Sequence, residues 1–234
     1  MATITGTQGK DTLYGSQGTD LIVGLDGDDL LNLNCSTGAD RMLGGSDKLY
    51  GHGGDDRLIG DAGNDTLDGG PGADRMFGGP GNDLDFAAAG DACLEANGGG
   101  HDHVYSNAKL TTLSDNVEAL TLVVGAGGLS SGHGNDGANM LSGNVYANSL
   151  WGHGGNDTLD GNAGDDHLAG GDGHDTLNGG IGRDGLHGGN GNDTYHVDNA
   201  GDTVTEAVGD ALLVCRVSVA VAATMDASDF AYLV

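Results

Sequence analysis

The stretch "GHGGNDTLDGNAGDDHLAGGDGHDTLNGG", Gly152 to Gly180, repeats one glycine-rich, aspartate-bearing phrase every nine residues. Set in frames of nine, the region reads GHGGNDTLD (152–160), GNAGDDHLA (161–169), GGDGHDTLN (170–178), GGIGRDGLH (179–187) and GGNGNDTYH (188–196). The fourth residue is Gly, the sixth Asp and the eighth apolar in every frame. One Gly-Asp pair predicts only a turn, whereas a turn recurring in phase predicts an architecture. Each frame divides into a six-residue turn and a three-residue strand whose middle side chain alone points inward, by the period-two alternation of β structure. Leu159, Leu168, Leu177 and Leu186 then stack into a thin apolar ladder. Glycines at the first and fourth positions permit backbone angles that other residues resist, and let successive turns come close.

The first half follows the same grammar: GTQGKDTLY (6–14), GSQGTDLIV (15–23), GLDGDDLLN (24–32), GHGGDDRLI (51–59), GDAGNDTLD (60–68), GGPGADRMF (69–77) and GGPGNDLDF (78–86), with Leu58, Leu67 and Met76 in the ladder. Two frames make one 18-residue coil, so alternate turns share an edge and aspartates eighteen residues apart become neighbours. This places Asp56 beside Asp74, Asp65 beside Asp83, Asp157 beside Asp175, Asp166 beside Asp184 and Asp175 beside Asp193. Stacked carboxylates repel unless a counterion sits between them. With turn carbonyls nearby they make the oxygen-rich, flexible cage that Ca²⁺ prefers at about 2.3–2.6 Å, whereas Mg²⁺ demands a near-ideal octahedron. The candidate metal ligands are therefore Asp11, Asp20, Asp29, Asp56, Asp65, Asp74, Asp83, Asp157, Asp166, Asp175, Asp184 and Asp193, with the turn glycines Gly54, Gly63, Gly72, Gly155, Gly164, Gly173 and Gly182. Asp175, which can stack on two partners, should matter most; Asp136 lies at a non-ligand frame position. A metal-free solenoid in which Gly and Asp serve turn chemistry alone is the competing reading, but it leaves the fixed sixth-position carboxylate unexplained.

Composition agrees. The 234 residues include 48 Gly and only ten aromatics (one Trp, six Tyr, three Phe), with a net charge of −27. So little apolar surface and so much self-repulsion predict disorder unless the charge is neutralised. Of 35 acidic residues only Glu95, Glu118 and Glu206 are Glu, and the short carboxylate of Asp suits tight turns and hard cations. Eight scattered Lys and Arg exclude nucleic acid and disfavour an anionic membrane surface. The segment "MATITGTQGKDTLYG" has no signal-peptide pattern, and no run reaches transmembrane length. Cys35, Cys93 and Cys215 form no CxxC and read as packing residues.

The frames resemble the G-G-x-G-x-D-x-U-x nonapeptides of the RTX, or haemolysin-type, calcium-binding proteins. The resemblance implies an all-β fold, a parallel β-roll (right-handed β-solenoid) with Ca²⁺ between turns. It also implies folding outside the cell after export by a type I secretion apparatus that reads an uncleaved C-terminal signal. The tail "ASDFAYLV" places an acidic residue before a short apolar end, as the secretion signals of similar proteins do; Asp229 to Val234 is the candidate, and a last strand is the equal alternative.

Each repeat block is followed by a segment of different texture. "GNDLDFAAAGDACLEANGGG" (81–100) aligns with "GNDTYHVDNAGDTVTEAVGD" (191–210), so the chain reads as a tandem duplication. The expected organisation is a first roll block (1–86), a β-rich linking segment (87–131), a second roll block (132–196) and a β-rich C-terminal cap (197–234). Residues 33–50 carry an insertion and a shortened frame that should disturb stacking and weaken any site using Asp40 or Asp47. In 134–142 and 143–151, Asn139 and Asn148 replace Asp and Tyr146 replaces Gly, so these frames should fold without strong sites. Asp85 occupies an inward position, and a face flip placing Leu84 and Phe86 inward would avoid burying a carboxylate.

No HExxH and no GxSxG is present, and most histidines fall at outward frame positions, so the reading assigns no catalysis. The densest histidine cluster is His101-Asp102-His103. Two functional classes remain: a secreted protein that folds on extracellular Ca²⁺, or a calcium-stabilised scaffold for a polysaccharide or cell surface. In the second class the chain could equally be the C-terminal portion of a larger secreted enzyme, adhesin or toxin.

Overall fold

In the computed structural model the described residues are 3–14, 21–27, 29–32, 45–97, 99–125, 129–207 and 214–217. Their regular structure is entirely β, and every strand pairing is parallel. One twelve-stranded sheet, from Thr3–Thr5 to Val214–Val217, runs along one side. The other side carries a five-stranded sheet, from Thr12–Tyr14 to Ala92–Leu94, and a six-stranded sheet, from Leu110–Thr112 to Thr203–Thr205. The chain alternates between the two sides and so winds as a parallel β-solenoid, the β-roll that the repeats predict.

The repeat length dictates the register. Leu141 pairs with Leu159, Leu159 with Leu177, and Leu177 with Tyr195; on the other side Leu150 pairs with Leu168, and Leu168 with Leu186. All of these are at most 1 % exposed, as are Leu49, Leu58, Leu67 and Met76. The core is thus two facing apolar ladders, one side chain per strand, each contributing about 1.5–3 kcal/mol by burial. Segment 87–131 adds its own rungs: Val104 and Leu120 continue the long sheet beside Asp85 and Leu141.

The insertion is absorbed. Ile22 pairs with Leu49 and Leu31 with Leu58, an offset of 27 residues where neighbouring coils use 18. One extra frame therefore enters a single coil, and stacking resumes in phase on both sides. Asp47 is buried, and its N–H reaches Asp65 Oδ1 at 2.8 Å. Asp40 lies outside the described residues, as do Asp20 and the Asp229–Val234 tail.

The glycine expectation needs one correction. Positive φ falls at the second and fourth frame positions, not the first: Gly171 and Gly180 at the second, Gly63, Gly164 and Gly173 at the fourth. The second position holds this conformation even when it is His52, Asp61 or His153. The first glycine serves close approach instead. A Cβ on Gly60 would stand 2.5 Å from Asp65 Oδ2 and 2.7 Å from the Gly78 carbonyl oxygen.

Asp85 is the second correction. It lies between Leu67 and Val104 in the interior ladder at 2 % exposure, while Phe86 is 39 % exposed. A face flip would require a one-residue slip, which would turn the whole strand over and break the pairings on both sides. Ladder register outweighs the cost of burying one carboxyl. Burial pushes that carboxyl up to about 7, and its side chain meets the Cys93 thiol.

Candidate metal centre

The sixth-position aspartates form stacks at the two edges of the roll. In each stack one aspartate donates its backbone N–H to Oδ1 of the next. On one edge the links run Asp47 to Asp65 (2.8 Å), Asp65 to Asp83 (2.7 Å) and Asp83 to Asp102 (2.8 Å), and then Asp157 to Asp175 and Asp175 to Asp193 (both 2.8 Å). On the other edge they run Asp11 to Asp29 (2.8 Å), Asp29 to Asp56 (2.6 Å), Asp56 to Asp74 (2.8 Å) and Asp74 to Asp91 (3.0 Å), and in the second half Asp166 to Asp184 (2.8 Å) and Asp184 to Asp202 (3.0 Å). Every aspartate pair expected from the 18-residue coil is side by side.

At three stack members Oδ2 is satisfied as well as Oδ1 or in its place, Asp11 accepting from the Thr7 N–H, Asp91 from the Ala88 N–H and Asp202 from the Asp198 and Asn199 N–H groups. Among the described residues, Oδ2 of Asp65, Asp74, Asp83, Asp102, Asp157, Asp166, Asp175, Asp184 and Asp193 is buried and accepts no hydrogen bond. Each of these residues is at most 3 % exposed. Oδ2 also converges with the first-position glycine carbonyl of the next coil on the space that a side chain would fill, as at Gly60 and Gly161. Such a cradle, hard oxygens aimed into a gap that glycine keeps open, suits an oxygen-seeking cation and not a thiolate- or imidazole-seeking one.

Magnitudes decide the same way. Parallel strands sit ~4.8 Å apart, so two charged rungs at an effective dielectric of about 20 repel by about 3 kcal/mol. Four such pairs already equal the net stability of an ordinary domain, about 5–15 kcal/mol. The charges must be neutralised by protons or by cations. Burial, reinforced by the neighbouring carboxylate, pushes Asp65 up to about 8, Asp157 and Asp166 to about 7, and Asp175 and Asp184 to about 6.

The asparagine frames show the alternative solution. Asn139 and Asn148 take the same stack positions, donating their N–H groups to Asp157 and Asp166. Their side-chain amides donate in turn, Asn139 Nδ2 to the Val117 carbonyl (3.1 Å) and Asn148 Nδ2 to Ser130 Oγ (3.1 Å). An amide there is satisfied by the protein alone, where a carboxylate leaves an oxygen over.

The turn glycines stack in parallel. A Cβ on Gly72, Gly173 or Gly182 would overlap the carbonyl oxygen of Gly54, Gly155 or Gly164 respectively, and one on Gly63 that of Gly45. Four acidic rungs escaped the nonapeptide reading. Asp91, Asp102 and Asp202 sit in degenerate frames, FAAAGDACL (86–94), NGGGHDHVY (97–105) and VDNAGDTVT (197–205), which keep the sixth acid and the eighth apolar residue. Glu118 does likewise in LSDNVEALT (113–121), and its Oε2 receives the Asp102 N–H at 2.7 Å. His101-Asp102-His103 is accordingly a stack position and not a histidine site: His103 Nε2 pairs with Thr121 Oγ1 at 2.9 Å and its ring stacks on Tyr105.

The profile of the RTX calcium-binding nonapeptide repeat matches residues 3–32, 36–67, 50–85, 133–168, 160–195 and 169–204, more than half of the chain. The chain belongs to the RTX family. RTX repeats bind calcium in general, and the carboxylate stacks lie within the matched RTX segments, apart from Asp91, Asp102 and Glu118 in the stretch between them. A comparison with curated proteins found no match.

Proposed function

We propose that this chain is a calcium-dependent RTX β-roll, in which Ca²⁺ lies between successive turns, held by sixth-position carboxylates and glycine-turn carbonyls. The observation that carries the reading is the row of buried Oδ2 atoms without a donor. Calcium supplies the positive charge that lets those carboxylates stay ionised inside the roll. The chain's own residues fix the spacing, since Oδ1 of Asp175 and of Asp193 is tied to the preceding coil and their Oδ2 atoms are left facing the gap. Folding is then coupled to binding. A chain of net charge −27 stays extended where Ca²⁺ is scarce, passes a type I secretion channel unfolded, and folds outside, where extracellular sites work at about 10⁻⁴–10⁻³ M. The C-terminal Asp229–Val234 segment would carry the export signal. Isothermal titration of chelator-treated protein tests the core of this: several equivalents of Ca²⁺ bind and Mg²⁺ does not compete at equal concentration. Absence of Ca²⁺ uptake overturns it.

The scaffold reading has one observation in its favour. The outer face of the six-stranded sheet presents Trp151 stacked on His133 (4.4 Å between ring centroids), with His153 and His167 alongside. Flat aromatic shelves of this kind suit sugar rings. Trp151 is the sole tryptophan, so quenching or enhancement of its fluorescence by acidic and neutral polysaccharides reports on this reading directly.

A further inference from the structure

The end of the first repeat block gathers more acid than the stacks require. Asp83, Glu95 and Asp102 each bring a carboxylate oxygen within 4.8 Å of the others'. Glu95 belongs to no stack; it comes from the strand-ending turn after Ala92–Leu94 and is locked in place by the N–H groups of Gly78 (3.2 Å) and Gly79 (2.9 Å). Asp83 Oδ1 and Asp102 Oδ1 are taken by backbone N–H groups, which leaves Oδ2 of both buried and accepting nothing. These two residues are 3 % and 2 % exposed. Gly78 keeps the meeting point open: a Cβ there would strike Asp83 Oδ2 and stand 2.5 Å from Glu95 Oε1. Behind them lies Asp85, 2 % exposed, with Oδ1 also lacking a donor.

The second copy of the module resolves the same place differently. Tyr195 stands where Asp85 does, Val204 replaces Cys93, and Glu206 is the counterpart of Glu95. The Tyr195 hydroxyl donates to Glu206 Oε2. One copy thus meets its glutamate with a hydroxyl donor, and the other surrounds its glutamate with carboxylates.

We infer that Asp83, Glu95 and Asp102 form a separate site for a hard divalent cation, Ca²⁺ foremost, at the seam between the first repeat block and the segment that follows it. The site differs from the repeat cages in taking a side chain from outside the stack, and among the described residues the second copy gathers no such trio. It rests on the proposed function only for the identity of the cation. Counting bound Ca²⁺ by native mass spectrometry tests it: Glu95→Gln loses one ion relative to the wild type, and the matched Glu206→Gln loses none. An unchanged count in a folded Glu95→Gln protein overturns the site. Because that variant could fold poorly, wild-type crystals grown with Ca²⁺ and exchanged with Tb³⁺ give a second reading. An anomalous peak among Asp83, Glu95 and Asp102 supports the site, and peaks along the stacks with none here overturn it. A peak here with none along the stacks supports the site while overturning the repeat-calcium reading, and no peak anywhere overturns both.

Discussion

Replacing Asp175 by Asn should strengthen the metal-free fold and weaken the calcium-bound one. Asp175 is 1 % exposed, its Oδ1 accepts the Asp157 N–H, and its own N–H reaches Asp193 Oδ1, both at 2.8 Å. Asparagine keeps an oxygen for Asp157 but removes the charge that two neighbouring rungs oppose. At about 3 kcal/mol per charged pair, reduced because burial holds this carboxyl at about 6 and so part-protonated, the metal-free roll should gain about 2–4 kcal/mol. The assay is the pH at which chelated protein acquires β signal on acidification. The sign follows from carboxyls whose folded pKa lies above the unfolded value of 3.8. Folding then takes up protons, so metal-free stability is full below about pH 4 and falls as pH rises towards 7 to 8. Asp175→Asn should move that transition upward in pH. In saturating Ca²⁺ the same substitution removes a ligand from two adjacent cages, lowering the number of ions bound and raising the Ca²⁺ midpoint about tenfold per 1.4 kcal/mol lost. Asp175→Ala is the control, because it also strands the buried Asp157 N–H at a cost of about 1–3 kcal/mol. A transition that moves downward in pH with Asn, or a Ca²⁺ curve that does not move, would refute the reasoning.

Three further outcomes follow from the same geometry. Gly182→Ala puts a Cβ onto the Gly164 carbonyl and should force those coils apart, abolishing the Ca²⁺-induced β signal of the second half, whereas Gly9→Ala, whose Cβ meets nothing nearer than Thr7 Oγ1 at 4.0 Å, should be tolerated. Leu168→Ala removes a fully buried rung between Leu150 and Leu186 and should cost about 2–5 kcal/mol in urea unfolding of the Ca²⁺-bound protein. Asp136→Ala alters an exposed residue and should leave both Ca²⁺ count and stability within error by the same titration.

Much of the architecture was legible because nine-residue spacing fixes both which side chain enters the core and which carboxylates meet. Leu159, Leu177 and the Asp157–Asp175 pair needed no more than counting. Asp102 was harder because its frame keeps Gly100 at the fourth place but has Asn97 for the first glycine, and Asp91, Glu118 and Asp202 because theirs lose or displace the fourth glycine while keeping the sixth acid. Once neighbouring coils supply the register, that glycine is no longer needed to define it. Asp85 was misread for the opposite reason: a local rule against buried carboxyls was set above the pairing of a whole strand with both neighbours. The role of the first glycine could not be seen in one frame, because the carbonyl it makes room for comes from eighteen residues away.

The central claim, that cations hold these carboxylate stacks together, is tested most directly by far-ultraviolet circular dichroism of the purified chain titrated with Ca²⁺ from a chelated start at neutral pH, with Mg²⁺ alongside. A cooperative gain of β signal with Ca²⁺ and not with Mg²⁺ is the predicted result; full β signal already present in chelator, unchanged by Ca²⁺, would contradict it.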